Sequence, residues 1–131
     1  MKLKISKWLV GGAVASFLAV GLPYWQIPYA DVELPVTLMT PALIVVVLAA
    51  ALARAIGQSR FIVCALVISA TIPAVVMARV VVDTATDPTS HNLWPFEIVL
   101  AGFVGAFTAT AGTAIGSIPA LLSRSASRKD A

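Results

Sequence analysis

Between Arg79 and Glu97 the chain concentrates most of what could do chemistry. The stretch DTATDPTSHNLWPFE, residues 83–97, supplies Asp83, Asp87, His91 and Glu97, and Arg79 stands four residues ahead of it. Carboxylates and imidazole are ligand types that suit divalent metals. The same groups can act as acid and base, imidazole being the side chain that changes charge near neutral pH. No spacing such as HExxH accompanies them, so no metal, cofactor or catalytic residue is expected. Turn chemistry accounts for much of the stretch instead. Asp87-Pro88 suits the start of a turn, and Pro95 suits the start of a helix with Glu97 near its positive end and Trp94 at headgroup level.

Arg79 is the one basic residue that falls among acids. With Asp83 one turn later and Glu97 opening the next apolar run, it is expected to engage Asp83, Glu97 or both, bidentately where one carboxylate meets its planar fork. A charge-reversed pair should then recover part of what is lost on breaking it. The competing reading makes Arg79 an anchor for an anionic headgroup or substrate. Arg79, Asp83, Asp87, His91 and Glu97, with Trp25 and Tyr29, form the candidate ligand-binding cluster.

Trp25 and Tyr29 belong to a second polar stretch, LPYWQIPYADVELP, residues 22–35. Tyr24, Trp25 and Tyr29 follow an apolar run, where aromatic belts meet the membrane–water boundary. Pro23, Pro28 and Pro35 are expected to prevent a continuous helix. Between them ADVEL alternates polar and apolar residues, so Val32 and Leu34 can face inward while Asp31 and Glu33 face water. The stretch reads as a stiff cap, or as an aromatic cage for a cation.

What must hold these groups is almost wholly apolar. Of 131 residues 60% are hydrophobic and 11% charged, whereas soluble domains carry about 25% charged residues. A soluble domain of this size has too little interior to hide such a surface, so lipid is its solvent. Nucleic acid is an unsuitable partner despite the net charge of +3, because the charges sit in short clusters between apolar runs. The lone Cys64 excludes an intrachain disulfide and dithiol chemistry.

Four apolar runs stand out, at about residues 5–22, 36–53, 61–82 and 95–122, with Thr40-Pro41 as a second possible start for the second run. A helix needs roughly 20 residues to cross the hydrocarbon core, and lipid tolerates no unpaired backbone. The expected fold is therefore an all-α membrane protein, one domain of four transmembrane helices in an antiparallel bundle, with residues 123–131 as a short basic tail. Lys2, Lys4, Lys7, Arg54, Arg60, Arg124, Arg128 and Lys129 are eight of the nine basic residues and fall on one side. Asp31, Glu33, Asp83, Asp87 and Glu97, five of the six acids, fall on the other. By the positive-inside rule both termini face the cytoplasm in a bacterial-type inner membrane. A cleaved signal peptide competes for the first run, although no small-x-small site follows it cleanly.

Within the fourth run Gly105, Ala109, Gly112 and Gly116 are small residues placed for close helix packing, inside one bundle or between copies. Thr108, Thr110, Thr113 and Ser117, with Ser69 and Thr71, could line a polar path but more often bond to their own preceding turn. No ionisable residue lies mid-run, where an ion-coupled transporter usually carries one. The expectation is a non-catalytic accessory or scaffold subunit, with lipid and a larger membrane protein as partners. The alternative is a small homo-oligomeric transporter or channel subunit.

Overall fold

A computed structural model describes residues 5–89 and 91–129, the side chain of Tyr29 excepted. Those residues form four α-helices and no strand: α1 (Lys7–Gln26), α2 (Ala42–Ala55), α3 (Phe61–Thr86) and α4 (Trp94–Lys129). By length and composition α1, α3 and α4 can each cross a membrane. α2 is shorter, and its 14 residues reach only about 21 Å.

Local chemistry sets most of the ends. Ser6 caps α1, its hydroxyl accepting the Leu9 N–H at 3.1 Å. α1 runs through Pro23, which the sequence reading had as a breaker, and stops at Gln26 before Ile27-Pro28. A proline in the last turn costs one hydrogen bond rather than a whole helix, while the residue before Pro28 is forced into extended backbone. α2 begins after Pro41, the later of the two possible starts. Residues 36–38 instead make a separate 3-10 turn. α3 continues four residues beyond the expected Val82 and ends before Pro88. Helix α4 starts one residue before Pro95 and continues through the basic segment, so residues 123–129 extend the helix rather than hanging from it.

α3 is the most buried element. Cys64, Ala65, Ile68, Ile72, Val75, Val76 and Val80 recur at three- and four-residue steps along its inner face. Helix α1 packs against α2 and α3, and α4 packs against the same two. In lipid such contacts gain little from leaving water and depend on close dispersion packing. Small residues provide it. A methyl group at Gly105 would run into the Ser69 carbonyl oxygen, and one at Gly112 or Gly116 into the backbone of α2 at Val47 or Ala51. Ser69 is four residues before Pro73, so its carbonyl lacks the usual helical donor, and Gly105 leaves room for it. Ala109 is fully buried beside these glycines.

The outer surface is the reverse of a soluble protein's. Phe103 and Phe107 on α4 are 70% and 81% exposed, and Ile62, Leu66, Val81 and Leu122 are exposed too. In water apolar patches of this extent mark aggregation or partner sites; on helices that can cross a membrane they suit lipid.

Candidate functional site

At one end of the helices the charged groups form a continuous chain. Arg79, in the penultimate turn of α3, is 8% exposed, and its guanidinium has three destinations. Nη1 donates to the Tyr24 carbonyl at 2.8 Å, Nη2 donates to the Ile27 carbonyl, and Nε donates to Asp83 Oδ2 at 3.2 Å. The cation also lies 5.1 Å from the centroid of the Tyr24 ring. The last carbonyls of any α-helix lack intrahelical donors. At the end of α1 the Tyr24 carbonyl takes the Ile27 N–H at 3.2 Å; Arg79 adds a second donor there and one for Ile27, and places its charge at the partially negative end of that helix.

The expected Arg79–Asp83 pair is present, but not in bidentate form and not with Glu97 as a direct partner. Asp83 takes one prong of the fork, not two, and Glu97 is reached only indirectly. His91 stands between the two carboxylates, with Nε2 at 2.7 Å from Asp83 Oδ2 and Nδ1 at 2.8 Å from Glu97 Oε2. The ring is 1% exposed, while Asp83 and Glu97 keep 31% and 17% of their side-chain surface. The order Arg79–Asp83–His91–Glu97 therefore ties the end of α1, the end of α3, the connection 87–93 and the start of α4. Glu97, in the first turn of α4, also complements that helix's positive end.

Asp87 stands outside the chain. Its carboxylate accepts the Thr89 hydroxyl at 2.7 Å and the Thr89 N–H at 3.1 Å, an Asx-type turn. The Thr89 bonds hold its carboxyl below the usual carboxylate range. Trp94 is exposed at the start of α4. Trp25 is half-buried rather than splayed toward a boundary. Its Nε1 donates to the Val75 carbonyl at 3.0 Å, and its ring meets Phe17 edge-on at 5.2 Å. With Ala78, Arg79, Val82 and Asp83 it borders a cleft of about 330 Å³. Whether Tyr29 joins falls outside the described side chains. Val32 and Leu34 pack on the core, and Asp31 and Glu33 are exposed. Among the described residues no group of three or more His, Cys, Asp or Glu is arranged to hold a metal. Both ring nitrogens of His91 are already turned to carboxylates, which makes the network a hydrogen-bonded charge chain.

The other end has its own clamp, which sequence reasoning missed. Arg54 Nε donates to Ser117 Oγ at 2.9 Å and Nη1 to the Ser59 carbonyl at 2.9 Å. Ser59 Oγ lies 3.4 Å from Ser6 Oγ. One arginine thus joins α2, the α2–α3 connection and α4, with the cap of α1 beside it. A usable signal was present at the Arg79 end, where a helix end leaves carbonyls that need donors; Arg54 meets a connection carbonyl and a hydroxyl instead, which have no such signature.

Between the two ends the polar side chains turn inward on their own helices. The hydroxyls of Thr71, Thr108, Thr113 and Ser117 donate to carbonyls of the preceding turn. The Cys64 thiol points at the Ala50 carbonyl, 3.3 Å away. Ser16 is fully buried in α1, and its hydroxyl has no hydrogen-bond partner among the described residues. Compared with protein families, curated proteins and solved structures, the chain matches none.

Proposed function

We propose that the chain is a four-span protein of a bacterial-type inner membrane with both termini cytoplasmic, and that it serves as a non-catalytic accessory or scaffold subunit. Charge supports the orientation. Lys7, Arg54, Arg60, Arg124, Arg128 and Lys129 lie at helix ends on the side where Ser6, Ser59 and Ser117 meet. Asp31, Glu33, Asp83, Asp87 and Glu97 lie at the opposite ends with Arg79. Packing of α2 along α1 and α4 supports counting it as a span, its short length made up by residues 36–41.

The contrast between a filled interior and an open flank carries the subunit reading. Val46, Ala50, Ile68, Ile72, Val75 and Ala109 are fully buried between the helices, and the hydroxyls of Thr71, Thr108, Thr113 and Ser117 bond to their own helices. Because α2 begins only at Ala42, the outer half of α4 lacks a neighbour on one side. Met39, Leu43, Phe103, Ala106, Phe107 and Thr110 border a groove there of about 800 Å³. Gly102, Ala106, Thr110 and Ala114 recur at four-residue steps, a spacing that lets another helix approach closely. A methyl group at Gly102 would meet nothing within 4 Å in this chain.

The test is gentle detergent extraction of a tagged chain, with co-purifying proteins identified by mass spectrometry. A larger membrane protein should be recovered at fixed stoichiometry and lost with Ala106→Phe, with the variant as stable as the parent. A defined homo-oligomer with the α4 hydroxyls turned inward would instead favour the small transporter or channel subunit. Recovery of the monomer alone would refute both.

A further inference from the structure

His91 is the chain's single histidine and the pivot of the α3–α4 connection. It is held at φ 54°, a left-handed backbone that a β-carbon disfavours, so its surroundings must over-determine it. Its ring meets two carboxylates, at 2.7 Å from Nε2 and 2.8 Å from Nδ1, and its carbonyl accepts the Trp94 N–H at 3.0 Å. An ionised carboxylate only accepts hydrogen bonds, and a neutral imidazole has one N–H and one lone pair. With both carboxylates ionised, both contacts are hydrogen bonds only if each ring nitrogen carries a proton. A neutral ring would turn a lone pair toward a carboxylate oxygen, with the ring itself shut off from water. That arrangement is repulsive and leaves buried polar atoms unsatisfied.

We propose that this cluster is a proton-binding site, and that the proton on His91 latches the 87–93 connection and the start of α4 to the end of α3. Among the described residues the charged groups facing the ring are Asp83, with Arg79 behind it, from α3 and Glu97 from α4. Tyr24 of α1 lies against Arg79, and Asp87 in the connection is engaged by Thr89. With the proton bound the charges alternate as Arg79 plus, Asp83 minus, His91 plus and Glu97 minus, and sum to zero. Without it the chain of groups carries one net negative charge, and one ring contact becomes repulsive. The latched state holds one more proton than the unlatched state, so raising the pH favours unlatching. For a single proton the equilibrium moves by at most about tenfold per pH unit. The latch is independent of which partner the helices meet.

Because there is one histidine, ¹⁵N-histidine labelling reports this ring alone. The full chain in lipid nanodiscs would be followed by ¹⁵N NMR from about pH 5 up to about pH 10, a span that starts in the ordinary imidazole range and runs well above it. In parallel, hydrogen exchange of residues 91–97 would be measured and corrected for the intrinsic pH dependence of exchange. The expected result is two protonated ring nitrogens with a protected segment at the acid end. Toward the alkaline end one nitrogen loses its proton, and protection falls with it by up to about tenfold per pH unit. In Glu97→Gln the amide can turn to donate to a bare Nδ1, so protection should persist across the range. Should that variant fail to fold, Asp83→Asn applies the same logic at Nε2. Three results overturn the proposal: protection that does not change as the ring loses its proton, a ring that carries a single proton across the whole range, or an amide variant as pH-sensitive as the parent.

Discussion

Replacing Arg79 by methionine tests the central structural argument. Methionine keeps most of the aliphatic stem and removes three donors at once. Two of them serve the carbonyls of Tyr24 and Ile27, and the third serves Asp83. A hydrogen bond from a charged donor contributes roughly 1.5–3 kcal/mol, but the helix-end carbonyls lie where interfacial water can replace part of that. Asp83 is about a third exposed and keeps His91, so its arm falls in the range of a screened bridge, about 1 kcal/mol or less. The sum is a loss of about 3 kcal/mol, or roughly 10 °C in unfolding temperature for a chain of this size. Arg79→Lys should fall between the two, because a single ammonium cannot span two carbonyls and a carboxylate. The structure also changes the expectation for charge reversal. An acid at position 79 cannot donate to the end of α1, so Arg79→Asp with Asp83→Arg should recover little. Thermal unfolding in detergent of the parent, Arg79→Met, Arg79→Lys and the reversed pair Arg79→Asp with Asp83→Arg gives all of these values. An Arg79→Met protein that unfolds within a degree or two of the parent would refute the claim that Arg79 closes α1, as would full recovery by the reversed pair.

Reporters fused after Lys129 should be active only in the cytoplasm and reporters at Asp31 or Asp87 only outside; an external C-terminus sinks the orientation. Gly105→Leu and Gly112→Leu should each lose about 1–3 kcal/mol of stability by overpacking, whereas Gly102→Leu should be close to neutral for the isolated chain because open space surrounds it; thermal unfolding of the three separates packing from lipid-facing glycines. Arg54→Met should destabilise by about 1–3 kcal/mol through loss of its bonds to Ser117 and Ser59, and Arg54→Lys should recover part of that, with the same unfolding assay as the check.

Sequence alone determined the helical, apolar character of the chain and the number of apolar runs, because both depend on residue types summed over a window of helical length. Few charges and long apolar runs point to a membrane, and three of the helices are long and apolar enough to cross one. Proline chemistry was legible where it acts locally, as at Pro41, Pro88 and Pro95. It misled at Pro23, where the last turn of α1 tolerates the missing donor. What only the tertiary structure decided is which groups meet. Arg79 and Asp83 are one turn apart and were visible as a pair. The carbonyls of Tyr24 and Ile27 are more than fifty residues from Arg79 and have no side-chain signature. His91 was one polar residue in a turn-rich connection, and nothing in its spacing placed both ring nitrogens on carboxylates from different helices. Likewise the small residues of α4 announced a packing face but not its partner: Gly105 meets α3 beside a proline-freed carbonyl, while Gly112 and Gly116 meet α2. Composition and periodicity act along the chain, whereas donor, acceptor and close-approach relations act across it and exist only once the helices have packed.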